Sequence, residues 1–279
     1  MKFFNKLNRY LSINFLRYIL GRFNLIRKIY KIINKTLNSN KILFDVNNYI
    51  ILKSSEDQIL NDLSIEGVSK KICLKKEINE FILDNFDKCK FLSYKAHNKE
   101  KYEFNNFYEF KNSKKDIPLL ELKNKDFREL FDRISRSEKI LKIAKDYLGN
   151  VKKIDIRLTY STVSNLDDVE REEWRQTVNW HFDVHDLNFL YLFFYISGAD
   201  KFSGSHEVII KSHKKKLFFK HLIGSATQSD KSLKNFYDKK DFLTIEGSEG
   251  EGFIEDTSCF HRALKPIDQT RLCLQIRYH

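Results

Sequence analysis

Proline and glycine are scarce, at two and nine of 279 residues, while Lys, Asn, Ile and Phe abound; this bias matches A/T-rich codon usage and says little about function. The four cysteines, Cys73, Cys89, Cys259 and Cys273, form no C-x-x-C pair and no small-domain disulfide spacing. That excludes a stapled secreted scaffold and predicts reduced, mostly packed thiols in a cytosolic protein. No apolar run reaches the ~18 to 20 residues that cross a bilayer. Arg17, Arg22 and Arg27 interrupt the one stretch that could serve as the apolar segment of a signal peptide, so none is expected. No internal repeat is visible. Acidic residues are missing altogether from positions 1–44, which hold ten Lys/Arg, whereas the other 235 residues hold 40 basic and 38 acidic side chains. The net charge of +12 therefore belongs to an N-terminal arm on a nearly neutral body, and no nucleic-acid partner is expected.

What is present is apolar bulk: 42% hydrophobic and 14% aromatic residues, enough for a globular protein with a substantial core. Residues 3–37 show helical periodicity. Phe3, Phe4, Leu7, Leu11, Phe15, Tyr18, Leu25, Ile29 and Ile33 share one side, and Lys2, Lys6, Arg9, Arg17, Arg27, Lys28, Lys31 and Lys35 the other. Arg22 falls on the apolar side, and Gly21 divides the stretch. Two readings are open. The arm lies on an anionic membrane, making the protein cytoplasmic but peripheral to the bilayer and its substrate lipid-linked, or it packs its apolar face on the body and leaves its charges in water.

The chain divides into a basic amphipathic arm (1–44), a mostly helical support region (45–150) and a strand-rich core (151–279). In the support region, 72–86 and 127–148 carry apolar residues at three- and four-residue intervals, a short strand is possible near 49–52, and Gly149-Asn150 ends the last helix. Beyond it the expected strands are 153–162, 178–183, 189–197, 207–211, 242–246, 252–256, 259–266 and 270–278. About eight short strands in ~130 residues predict a mainly β fold with flanking helices, a double-sheet jelly roll. Residues 164–176 form a charged loop, and 212–240 a Lys-rich insertion.

Within the core one set of side chains carries chemistry: His181, Asp183, His261 and Arg271. In a strand, residues i and i+2 share a face roughly 6.5 to 7 Å apart, so His181 and Asp183 can reach one metal while Phe182 packs the other way. Two imidazoles and one carboxylate can take one face of an octahedral Fe(II), leaving three positions for a keto-acid and dioxygen. Arg271 can clamp the far carboxylate of that keto-acid as a bidentate pair. A lone H-x-D is weak, because chance supplies roughly half of one in such a chain.

Its surroundings strengthen it. Trp180-His181-Phe182-Asp183 is followed by Leu190-Tyr191-Leu192-Phe193-Phe194-Tyr195-Ile196, then by Ser203-Gly204-Ser205-His206 and a strand leading to Lys211-Ser212-His213-Lys214. Gly247 to Gly252, Asp256-Thr257, His261-Arg262 and Arg271 complete the order. Over roughly 151–279 this resembles the phytanoyl-CoA dioxygenase family of Fe(II)/2-oxoglutarate oxygenases. Two departures stand out: Lys211 replaces the Gly usual before Ser-His, and Tyr191 sits where many members carry Lys.

The resemblance implies a double-stranded β-helix holding Fe(II) on His181, Asp183 and His261, with 2-oxoglutarate on Arg271 and dioxygen as co-reactant. Tyr191 is a further candidate donor to the cosubstrate. Some relatives replace the carboxylate ligand by a small residue and halogenate; Asp183 implies oxygenation, most simply hydroxylation of a small-molecule, lipid-linked or glycan-type substrate. A jelly-roll binding or scaffold protein without turnover is the alternative, and Arg271-x5-Arg277 leaves a nucleic-acid demethylase as a lesser one. The strand from Arg271 should place Cys273, Gln275 and Arg277 on the same face. His185 could line the substrate mouth, His206 and His213 are expected to be structural, Trp174 and Trp180 packing residues, and Lys211–Lys220 a solvated loop.

Overall fold

The computed structural model describes residues 19–36, 42–96, 100–184 and 186–279. Nine strands form one antiparallel sheet: β1 (Ile50–Leu52), β2 (Val68–Leu74), β3 (Lys90–Tyr94), β4 (Lys101–Phe104), β5 (Leu119–Lys123), β6 (Ile154–Ser161), β7 (Leu190–Tyr195), β10 (Glu251–Glu255) and β12 (Arg271–Tyr278). Their order is β1-β2-β10-β7-β12-β6-β5-β3-β4. The remaining strands, β8 (His206–Ile209), β9 (Phe242–Ile245) and β11 (His261–Ala263), form a second sheet in the order β11-β8-β9. This is the expected jelly roll.

Period-2 alternation gives the large sheet two unlike faces. In β12 and β7, Leu272, Leu274, Ile276 and Tyr278 join Leu190, Leu192 and Phe194 in the main core. The residues between them, Arg271, Cys273, Gln275 and Arg277 with Tyr191, Phe193 and Tyr195, face a cavity toward the small sheet. The register Arg277↔Tyr191, Gln275↔Phe193 and Cys273↔Tyr195 stacks these side chains in rows.

Helices close the other face. α1 (Asn24–Thr36), α2 (Glu56–Ile65), α3 (Lys76–Leu83), α4 (Phe107–Asn112), α5 (Lys125–Ser135) and α6 (Glu138–Leu148) precede the core, and α7 (Asp168–Glu173) and α8 (Asp230–Lys234) interrupt it. α5 starts where the Asn124 side chain accepts the Asp126 and Phe127 N–H groups, and α6 stops at Gly149, whose φ of 84° suits glycine. Phe127, Phe131, Ile140, Ile143 and Ala144 bury against the sheet. The Tyr278 hydroxyl, donating to Ser135 O at 2.8 Å, pins β12 to α5.

Three expectations change. The large sheet takes β1–β5 from residues 50–123, so residue 150 does not divide a helical support from a strand core. The segment expected as helix from Ile72 begins as β2, where Val68, Ile72 and Leu74 are buried with Ser69 while Lys70 points out. The strand expected over 178–183 is reduced to an isolated bridge, His181↔His261.

The arm packs the opposite way to its periodicity. On α1 the buried residues are Arg27 and Asn34, at 5% and 3% exposure, while Leu25, Ile29, Ile32 and Ile33 face outward. Arg27 pairs with Asp256 at 2.8 Å and donates to Asn188 Oδ1 at 2.9 Å. Arg22, also buried, donates to Gly224 O at 2.7 Å, and Asn34 to Asn150 O at 3.2 Å. The packed-apolar-face reading therefore fails for 24–36, because docking here runs through buried hydrogen bonds. Positions 1–18 lie outside the described residues.

Candidate metal centre

The bridge between His181 and His261 is what brings the ligand set together. His181 N–H donates to His261 O at 3.0 Å, the return bond is 2.8 Å, and Asp183 N–H donates to Thr257 O at 2.8 Å. Extended backbone thus keeps His181 and Asp183 on one face without a full strand. Phe182 turns away, buried edge-on against Phe260 with ring centroids 5.2 Å apart.

His181 Nε2 lies 3.9 Å from Asp183 Oδ1, and His261 Nε2 lies 3.8 Å from Asp183 Oδ2. The three residues form the one metal-ligating cluster found among the described residues, their donor atoms all within 4.8 Å of one another. Both imidazoles are set the same way. His181 Nδ1 sits 2.9 Å from Asn179 O, and His261 Nδ1 sits 2.9 Å from Cys259 O. A backbone carbonyl only accepts, so each Nδ1 carries the proton and each Nε2 offers its lone pair to the centre. Burial, with His181 next, lowers the His261 pKa to about 4, which favours the neutral ring a metal needs. Two neutral imidazoles and a carboxylate suit a borderline divalent ion such as Fe(II).

Behind the ligands lies a pair the sequence did not reveal. Glu255 is fully buried, with Oε2 2.7 Å from His206 Nε2 and Oε1 3.8 Å from His261 Nδ1. Burial raises Glu255 to about 8 and lowers His206 to about 3, so it disfavours the charged form of both partners. His206 stacks on His261, centroids 5.4 Å apart, and so fixes that ring's plane. Of this pair only His206 stood out in the sequence, as a structural residue.

The cavity in front of the ligands measures about 280 Å³. Arg271 lies in its wall, 6% exposed, donating through Nη1 to Gly204 O and through Nη2 to Ser161 Oγ at 3.4 Å, while its Nε has no hydrogen-bond partner among the described residues. Tyr191 lines the cavity too, its hydroxyl accepting from Arg277 Nη1 at 3.2 Å; burial raises its pKa well above that of a free phenol. Arg277 is also held by Asp155. Arg157 and Arg175, which the sequence did not single out, complete a set of four arginines in this wall, against the single acid Asp183. Arg175 stacks on Tyr94, 4.0 Å from the ring centroid.

Other candidates fall elsewhere. His213 is buried beside Cys259, Nδ1 to Sγ 3.3 Å, and Trp174 and Trp180 are packed. His185 lies outside the described residues. Lys216 departs from the solvated-loop reading: its ammonium donates to Ser212 O and Ser258 O at 2.8 and 2.5 Å, and burial lowers its pKa to about 8. All four cysteines are free thiols. A larger groove of about 1200 Å³ lies between α5 and β6 but gathers no metal-ligating cluster.

Among solved structures the chain is similar to EvdO2 from Micromonospora carbonacea var. aurantiaca, at 12% identity, TM-score 0.53, covering 82% of this chain and 92% of that one. It is also similar to the non-heme alpha ketoglutarate dependent epimerase SnoN from nogalamycin biosynthesis, at 11% identity, TM-score 0.51, covering 80% and 82%. At such identities the likeness establishes the fold. No family model and no curated protein matches the sequence.

Proposed function

We propose that this protein is an Fe(II)- and 2-oxoglutarate-dependent dioxygenase of the phytanoyl-CoA dioxygenase type, and that it hydroxylates a C–H bond of a small molecule. The observation that carries the reading is the convergence of His181 Nε2, His261 Nε2 and the Asp183 carboxylate on one point, with both Nδ1 atoms committed to backbone carbonyls. The bound iron would supply the oxidising chemistry, coupled to decarboxylation of 2-oxoglutarate to succinate.

The protein's own part follows from its side chains. Arg271, buried with an unmet Nε donor, receives the far carboxylate of 2-oxoglutarate, for which a planar fork is the matched partner. Tyr191, held by Arg277, presents its hydroxyl at the same wall as a second contact. Phe193 and Phe253, stacked 4.7 Å apart, with Tyr195 dry the inner end of the cavity. Arg157 and Arg175 remain for the substrate, so an anionic group on it is favoured, whether the substrate is free, glycan-type or lipid-linked.

Anaerobic loading with Fe(II) and 2-oxoglutarate, followed by air, tests the reading. Succinate should form with the wild type and not with Asp183→Ala. A protein that binds neither iron nor 2-oxoglutarate would be a scaffold. A turned-over substrate with inverted stereochemistry and no added oxygen would replace hydroxylation by epimerisation, the activity for which SnoN is named.

A further inference from the structure

α1 presents to solvent the side that helices in globular proteins usually bury. Leu25, Ile29, Ile32 and Ile33 are 69, 48, 67 and 48% exposed and fall within about 100° of arc. Lys28 and Lys35, both exposed, border one edge of this stripe. The opposite side is locked down by Arg27 and Asn34, so the stripe cannot turn inward without breaking the buried Arg27–Asp256 pair. Beside the helix, Lys28, Lys31 and Lys214 rim a hollow of about 120 Å³ whose only carboxylate, Asp256, is already bound by Arg27 and the Tyr147 hydroxyl.

Charge decides among the occupants. A second copy related by a two-fold axis would set the same cationic rim against itself. Residues 1–18 bring four more basic side chains and no acidic one, so their charge repels this surface too. Only an anionic surface satisfies both the apolar stripe and its rim. In the sequence, Phe3, Phe4, Leu7, Leu11, Phe15 and Tyr18 recur at the same helical spacing ahead of α1.

We propose that α1 docks this protein on an anionic lipid bilayer, with Leu25, Ile29, Ile32 and Ile33 in the interface and Lys28 and Lys35 at the lipid phosphates. The inference is independent of the metal centre. It is a peripheral contact, since no helix among the described residues is long and apolar enough to cross a membrane.

The test is co-sedimentation of the full chain with phosphatidylcholine vesicles, with and without phosphatidylglycerol. The wild type should pellet with the anionic vesicles only, and added salt should release it. Ile29→Glu with Ile32→Glu, both at exposed positions, should lower the bound fraction at least about tenfold while circular dichroism and Fe(II) binding stay unchanged. A wild type that stays in the supernatant overturns the proposal, as does a double variant that pellets like its parent. A concentration-dependent dimer abolished by the same substitutions, without vesicle binding, assigns the stripe to a second copy and overturns it equally.

Discussion

Glu255 and Asp256 are adjacent, both carboxylates and both fully buried, yet their surroundings shift their pKa values in opposite directions. Glu255 points to the cavity side, where it meets imidazoles, and burial holds its pKa up at about 8. Asp256 points to the arm. Burial would raise it as well, but the Arg27 guanidinium, His213 and the Tyr147 hydroxyl hold it well below the usual carboxylate range. One side of β10 brings its cation along in the chain, through α1. The other side gathers Asp183 and two imidazole lone pairs around a point that suits a cation from solution. Residue type alone does not separate a structural charge cluster from a metal centre; the partner does.

The largest effect should come from the side proposed to take its cation from solution. Replacing His181, Asp183 or His261 by Ala should cost iron binding and succinate formation more than the roughly 10- to 100-fold typical of losing an outer partner, with the fold intact. Calorimetric Fe(II) titration checks it, and stoichiometric binding by Asp183→Ala would erase the contrast drawn here. On the other side, Arg27→Met strands a buried carboxylate and should cost about 3–5 kcal/mol in urea unfolding, with iron affinity little changed. Asp256→Asn in the same chain should restore part of that loss.

The sign of the pH dependence sharpens the same contrast. Asp256 has a depressed folded-state pKa, so its contribution is fully present above the unfolded value near ~3.9 and is lost as pH falls below it. Thermal melts from neutral to acid pH should therefore drop steeply for the wild type and less so for Asp256→Asn. Within the cavity, Arg271→Lys keeps the charge but loses the fork; the 2-oxoglutarate requirement should rise about tenfold while Fe(II) binding is retained. An unchanged requirement would move the carboxylate to Arg277. The smallest effect is expected at Lys211, which holds a φ of 67° where glycine is at ease. Lys211→Gly should stabilise by about 1 kcal/mol, read as a small rise in Tm.

Much of the cavity side was legible because strand alternation is local. The period of two from Arg271 put Cys273, Gln275 and Arg277 on one face, and the H-x-D spacing brought His181 and Asp183 together even though their segment is not a full strand. What could not be read was contact at long range. Helical periodicity assigns arginine to water, and nothing near Arg27 announces a partner 229 positions away. β2 was hidden because Val68 to Leu74 places two lysines between its buried residues. Glu255 and His206 meet only after two sheets have closed, and the motif that holds His206 does not include Glu255.

The separation between Arg27 and Asp256 also has a consequence for how the molecule is made. Arg27 is synthesised early, and at roughly 5–20 residues per second its partner follows about 10–50 s later. Throughout that interval the guanidinium lacks its counter-charge, and α1 has only its contacts to Asn150 and Asn188 to hold it. Arg22 waits almost as long, for carbonyls about 200 residues downstream. Charge pairing of α1 therefore records that β10 and the residue after it have been built. A ribosome-bound chain stopped before Asp256 should leave its basic arm open to proteolysis, whereas one released with β12 in place should protect it.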